Sequence, residues 1–353
     1  MPVDATYLRT IEHWRVRFES VGVPGSSIDS VVTNLDDWSD WPQLWKQLGD
    51  KEVAYAVDQE ERGHDITASA GWYRAGLYYH YGLFVLFDNE PVRSQLVDAK
   101  LAAFSNAFRG MHPGVEQVTL ESAAGVLHAN VRRPDTSEPP PVVIILPGAD
   151  SSKEEYVGFE DLLLDRGLAT ISVDGPGQGE TRHRGVGWRF DYETAFPAVI
   201  DFVRSSDELR TDGIGLIGFS FGGYLAPRVA ALCPEIIATV SLGGCFDLSG
   251  WDDLPPLLKA DLMYLFEIPD EEEVRRRATD EVTLRDSLPG VRGDLLAVHS
   301  TADRIFSHQN ARAMKELKPT TEVVIYEGGD HCCHNRSHHA KPMMADWLAD
   351  HLG

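Results

Sequence analysis

Two hydrophobic periods run along this 353-residue chain. Through residues 1–112 apolar side chains recur at helical spacing, and no alternating stretch reads as a strand. An amphipathic pattern opens at residues 7–16. Residues 30–49 carry Trp38, Trp41 and Trp45, with Pro42 placed to start a helix. Residues 67–87 hold Trp72, Tyr73, Tyr78, Tyr79, Tyr81, Phe84 and Phe87. They are apolar nearly all round, which predicts a long helix buried between layers. Residues 91–109 repeat Leu96, Ala103, Phe104 and Phe108 on helical spacing. Together these segments predict a helical cap domain over residues 1–112.

Pro113 and Gly114 break that pattern. Residues 115–120 and 126–131, joined at Ala124-Gly125, read as a β-hairpin. A polar, proline-rich connection over 133–141 follows. Short apolar runs then alternate with helical segments. The runs lie at 142–146, 169–173, 214–217, 236–242, 295–299 and 322–326. The helical segments lie at 153–166, 192–205 and 308–317, with a last one from residue 337. The run at 142–146 is apolar throughout and reads as a central strand covered on both faces. Alternation of this kind predicts a mostly parallel sheet with helices on both sides, eight strands in all, over residues 113–353. Residues 248–290 interrupt it with Trp251, Pro255-Pro256 and an acidic cluster at 270–273, and read as a helical, lid-like insertion.

Candidate chemistry sits where these runs end. Gly218-Phe219-Ser220-Phe221-Gly222 joins an apolar run to a small-residue helix. Strand, tight turn with a serine, then helix is the setting of a nucleophile elbow. A serine hydroxyl is a weak nucleophile and needs a base within hydrogen-bond reach, and the base needs an acid to fix its tautomer. The run at 295–299 leads to Asp303, and the run at 322–326 leads to Gly329-Asp330-His331. Ser220, Asp303 and His331 thus follow the Ser–acid–His chain order of α/β-hydrolases. For an oxyanion hole, the backbone N–H of Phe221 and that of Ala149, in the Pro147-Gly148-Ala149-Asp150 loop after the run at 142–146, are the candidate donors. Asp150 either points into the pocket or caps a helix starting near Ser151. The two phenylalanines beside Ser220 predict apolar surroundings for it. Tyr78, Tyr81 and Trp251 are the candidates to face Ser220 across a substrate cleft.

Composition narrows the partners. Thirty-two basic against 55 acidic residues give a formal charge of −23, which argues against nucleic acid. No window of about 20 residues is apolar enough to span a bilayer. The opening Met1-Pro2-Val3-Asp4 lacks a leader pattern, so a cytoplasmic protein is expected. Cys233, Cys245, Cys332 and Cys333 are then reduced thiols. Gly175-Pro176-Gly177-Gln178-Gly179 has neither phosphate-loop spacing nor a following Lys-Ser/Thr, and reads as a loop near the site. Cys332-Cys333, flanked by His331 and His334, lacks the Cys-x-x-Cys spacing of zinc sites, and His331 is wanted as the base. No metal is expected.

Three stretches carry a family resemblance. They are Leu146-Pro147-Gly148-Ala149-Asp150-Ser151-Ser152-Lys153-Glu154-Glu155, Asp174-Gly175-Pro176-Gly177-Gln178-Gly179-Glu180 and Gly329-Asp330-His331-Cys332-Cys333-His334-Asn335. With them the chain, from about residue 114 onward, resembles the 2,6-dihydroxypseudooxynicotine hydrolase-like α/β-hydrolases. These are carbon–carbon bond hydrolases, with fungal polyketide-shortening hydrolases among their relatives. The resemblance implies an α/β-hydrolase fold with an N-terminal helical cap, a homodimer, no cofactor and a Ser220–His331–Asp303 triad. It also implies cleavage of a bond between a ketone and an adjacent carbon. The residues leave open a carboxylesterase or lactone/amide hydrolase acting on a bulky apolar small molecule. A ligand-binding protein on a hydrolase scaffold is the remaining, non-catalytic reading.

Overall fold

The computed structural model describes residues 5–111 and 114–353, with side chains described from residue 10 onward. Within it the chain divides into two units, Met1–Val115 and Glu116–Gly353. The boundary expected between 112 and 113 falls on His112 and Pro113, which lie outside the described residues.

The first unit is helical: α1 Ala5–Ser20, α2 Gly25–Thr33, α3 Trp41–Glu61, α4 Asp65–Gly82 and α5 Glu90–Arg109. Pro42 lies in the first turn of α3, where its missing N–H has no partner to lose. Asn89 caps α5 by accepting from the Val92 N–H. α4 is the buried centre, yet it ends at Gly82, short of the predicted residue 87. Val85 takes a positive φ of 56°, which turns the chain out of the helical path. An aromatic cluster packs around α4. Tyr81 lies 3.8 Å from Phe18 between ring centroids, and Trp45 stands edge-on to Phe18 at 5.7 Å. Close approach of α4 to α5 depends on Gly76, where an added Cβ would come within 2.8 Å of the Phe104 ring.

The second unit is an eight-stranded sheet in the order β1-β2-β4-β3-β5-β6-β7-β8. Its strands are β1 Val115–Ser122, β2 Gly125–Arg132, β3 Val142–Leu146, β4 Ala169–Asp174, β5 Ile214–Phe219, β6 Ile236–Leu242, β7 Asp294–Ser300 and β8 Glu322–Tyr326. β2 pairs antiparallel with β4, and the pairs from β4 through β8 are parallel. Side-chain alternation divides the core. Val142, Ile144 and Leu146 of β3 join a cluster on one face, and Val143 and Ile145 join another on the opposite face. Helices α6 Val157–Leu164, α7 Gly179–His183, α8 Pro197–Ser205, α9 Phe221–Leu232, α12 Gln309–Leu317 and α13 Ser337–Leu352 follow the strands. The insertion after β6 supplies α10 Pro256–Phe266 and α11 Glu271–Glu281. The single helix predicted over 153–166 is a 3-10 turn at Lys153–Tyr156 followed by α6. That over 192–205 is likewise a 3-10 turn, Tyr192–Ala195, followed by α8, with Pro197 starting the helix proper. Among the described residues no helix is long and apolar enough to cross a membrane.

Gly76→Val tests the helix contact. A branched side chain there forces Phe104 aside, and overpacking of this kind costs roughly 1–3 kcal/mol. A lower midpoint in chemical denaturation is expected, and an unchanged midpoint would show that α4 and α5 are not in close contact.

Candidate active site

The parallel strands all deliver their carboxyl ends to one edge of the sheet. There β3 leads to Pro147-Gly148-Ala149, β5 to Ser220, β7 to Asp303 and β8 to His331. Open α/β sheets place their ligands at this edge.

Ser220 ends β5 and caps α9 with φ 54° and ψ −121°, a conformation a residue with a Cβ rarely adopts. Its neighbours impose it. An added Cβ at Gly218 would collide with the Gly222 carbonyl, and one at Gly222 with the Leu146 and Pro147 carbonyl oxygens. The Ser220 N–H donates to the Leu242 carbonyl at 2.8 Å, and its carbonyl accepts from Gly223. The hydroxyl lies 2.7 Å from His331 Nε2. His331 Nδ1 lies 2.8 Å from Asp303 Oδ2. The other carboxylate oxygen of Asp303 accepts the Ile305 and Phe306 N–H groups at 2.8 and 3.0 Å.

An ionised carboxylate only accepts, so Nδ1 carries a proton, and in the neutral ring Nε2 is left to accept from the serine hydroxyl. Burial opposes charge on both partners. The adjacent imidazole and the two backbone donors nevertheless hold Asp303 below the usual carboxylate range. For His331, too, burial works against the imidazolium, and the Asp303 charge outweighs it, so its pKa lies above the ordinary histidine value. Nearby His299 is different. Its Nε2 donates to the Gly244 carbonyl at 2.9 Å, and burial pushes its pKa down to about 4. It stays neutral.

His331 reaches this position through an unusual turn. Cys332 and Cys333, which follow it, both take positive φ, at 53° and 55°. Their thiols point into the protein, Cys332 Sγ toward the Leu242 carbonyl and Cys333 Sγ toward that of His299. All four cysteines are free and buried. Ser300 at the end of β7 donates to the Asp330 carbonyl and ties the two loops together.

Other predicted site residues are placed as follows. A Cβ at Gly148 would stand 3.2 Å from the Ser220 Cβ, so the loop carrying Ala149 runs directly past the serine. Phe221 is the first residue of α9, and its N–H has no carbonyl one turn back to bond. The helix-cap position after β3 belongs to Ser152, not Asp150, because the 3-10 turn begins at Lys153. Asp150 is half-buried in the loop before it. The apolar surroundings expected from the elbow phenylalanines are not formed by those rings. Phe219 packs on Tyr156 and Phe159, and Phe221 on Tyr224, Trp188 and Phe266, in the cores on opposite faces of the sheet. Tyr78 and Tyr81 are buried in the helical unit. The Tyr78 hydroxyl lies 2.7 Å from Ser27 Oγ, and the Tyr81 ring packs on Phe18, Trp45 and Phe84. Trp251, 1% exposed, packs in the core around the insertion.

Fold and site define a class, and comparison with known proteins agrees with it. Residues 143–343 match the model of the alpha/beta hydrolase family, and the chain belongs to that family. It is 33% identical over 315 residues to the 2,6-dihydropseudooxynicotine hydrolase of Paenarthrobacter nicotinovorans, covering 88% of this chain and 84% of that protein. It is similar to the crystal structure of 2,6-dihydroxy-pseudo-oxynicotine hydrolase, with a TM-score of 0.87 at 32% identity, over 96% of this chain and 95% of that one. A 20-hydroxy-prefusarin hydrolase of Gibberella moniliformis is 29% identical over 225 residues, 60% of this chain and 54% of the relative. The chain is therefore an enzyme, a hydrolase.

Asp303→Asn tests the electrostatics. Removing the carboxylate takes away the main influence that opposes burial, so His331 should lose its proton at a pH lower by roughly one unit or more. Titration of the His331 ring by NMR reads this directly. A titration midpoint that stays or rises would mean that Asp303 does not stabilise the imidazolium.

Proposed function

We propose that the protein is a serine hydrolase that cleaves a carbon–carbon bond next to a ketone, in an aromatic or β-dicarbonyl substrate. The single observation carrying the serine chemistry is the unbroken relay from Ser220 Oγ through His331 to Asp303, at 2.7 and 2.8 Å. Kinship to the pseudooxynicotine hydrolase, over most of both chains, supports the carbon–carbon specificity.

In this reading His331 Nε2 takes the Ser220 proton as Oγ bonds to the ketone carbon. The developing oxyanion is met by the N–H groups of Ala149 and Phe221. Collapse breaks the bond to the neighbouring carbon, and its electron pair stays on that carbon. A carbanion is a poor leaving group, so a proton must reach it as the bond breaks. His331, charged by the first step, is the acid that supplies it. Water, deprotonated by His331, then adds to the acyl group, the bond to Oγ breaks as His331 returns the proton to Oγ, and a carboxylic acid leaves. Net, one water is consumed and one acid and one C–H product are formed.

The same relay serves esters, so products decide the substrate class. Aryl 1,3-diketones should yield one carboxylate and one ketone per turnover, and Ser220→Ala should lower that rate by about 10⁴-fold or more. Efficient hydrolysis of p-nitrophenyl esters with no diketone cleavage would replace the carbon–carbon reading with a carboxylesterase. Activity surviving in Ser220→Ala would remove the serine from the mechanism.

A further inference from the structure

The glycine-rich stretch after β4 has a role that its sequence pattern does not name. Gln178 stands in it, 2% exposed, with all four hydrogen-bonding positions of its side-chain amide filled. Nε2 donates to the Pro147 carbonyl at 2.8 Å and to the Gly148 carbonyl at 3.1 Å. Oε1 accepts from the Tyr192 hydroxyl at 2.8 Å and from the Gly175 N–H at 3.1 Å. The reversed amide would set its oxygen against two carbonyls and its NH2 against an N–H donor, so the network fixes one orientation.

The two carbonyls it holds belong to the loop that passes Ser220. In a trans peptide the C=O and the N–H point in opposite directions across one plane. Pinning the Gly148 carbonyl therefore sets the aim of the Ala149 N–H, and pinning that of Pro147 sets the Gly148 N–H. We infer that Gln178 is a positioning residue for the oxyanion hole, holding these peptide planes so that the Ala149 N–H meets the oxyanion.

The surrounding residues are shaped to bring the amide there. An added Cβ at Gly175 would overlap the Tyr192 hydroxyl, and one at Gly179 would overlap the Asp174 carboxylate. Asp174 is fully buried and accepts the Lys153 and Glu180 N–H groups, both at 2.8 Å. Lys153 Nζ also meets Glu154 at 2.7 Å and Glu180 at 2.8 Å. Asp174 thus ties the far end of the oxyanion loop, at Lys153, to the start of the Gln178 turn. Peptide planes held in this way need no rearrangement as charge develops on the substrate, which is where preorganised donors gain their effect.

The inference rests on the serine-hydrolase reading, and the test separates the two. A fluorophosphonate probe reacts through an oxyanion-like phosphoryl oxygen, so its second-order rate at Ser220, read by peptide mass, reports the hole without a known substrate. Gln178→Met keeps the length and volume and should lower that rate roughly 10- to 100-fold. Tyr192→Phe removes one bond orienting the amide and should lower it severalfold. In both variants the His331 titration seen by NMR should match the unaltered protein, because the relay is untouched. An unchanged labelling rate in Gln178→Met overturns the inference, as does a loss accompanied by an altered His331 titration, which would mark a general structural role. If Gln178→Met does not fold, an unchanged rate in Tyr192→Phe overturns it. Failure of the unaltered protein to label at Ser220 would instead overturn the serine reading, and this inference with it.

Discussion

Everything at the site depends on one unfavourable backbone conformation, that of Ser220. A residue with a Cβ held at φ 54° costs of order 1–3 kcal/mol and persists only where its surroundings over-determine it. Here they do. β5 runs into α9 with only the serine between them. The glycines on either side allow contacts in which any Cβ would collide, and the Ser220 N–H is bonded to the end of β6. The strained turn lifts the hydroxyl clear of the sheet, and the ends of β7 and β8 bring Asp303 and His331 to meet it.

The relay is also an electrostatic unit. Neither Asp303 nor His331 is favourable as a buried charge alone. Together each makes the other's ionised form acceptable, and the two backbone donors to Asp303 strengthen the arrangement. The Asp303 charge is thus in place to stabilise a charged His331 ring. The balance falls the other way at His299, where burial outweighs the pull of the Asp303 carboxylate and keeps the ring neutral.

Much of this was legible in the sequence, for physical reasons. An apolar run bounded by turn residues reads as a strand, and β3, β6 and β8 match their expected positions closely, β3 buried throughout and β8, at the sheet edge, only half-buried. Ser220, Asp303 and His331 were legible because each follows its own strand, in a fixed order. What the sequence did not show was orientation. Phe219 and Phe221 look like pocket walls beside the serine, but strand alternation and the start of α9 send their rings into opposite cores. Tyr81 and Trp251 carry the same ambiguity, since an aromatic side chain reads alike whether it lines a cleft or fills a core. Gln178 was hidden for another reason. The partners of its Nε2 are main-chain carbonyls about 30 residues away, and carbonyls leave no mark on the sequence. Only the glycines that make room around it were visible.

In the proposed mechanism the acyl half of the substrate passes through a covalent bond to Ser220. Rapid acid quenching during turnover of a substrate that is cleaved, followed by peptide mass analysis, tests it most directly. An adduct with the mass of the acyl fragment is expected on the peptide containing Ser220. Multiple quench times that show full product formation with no adduct, or an adduct on another residue, would contradict it.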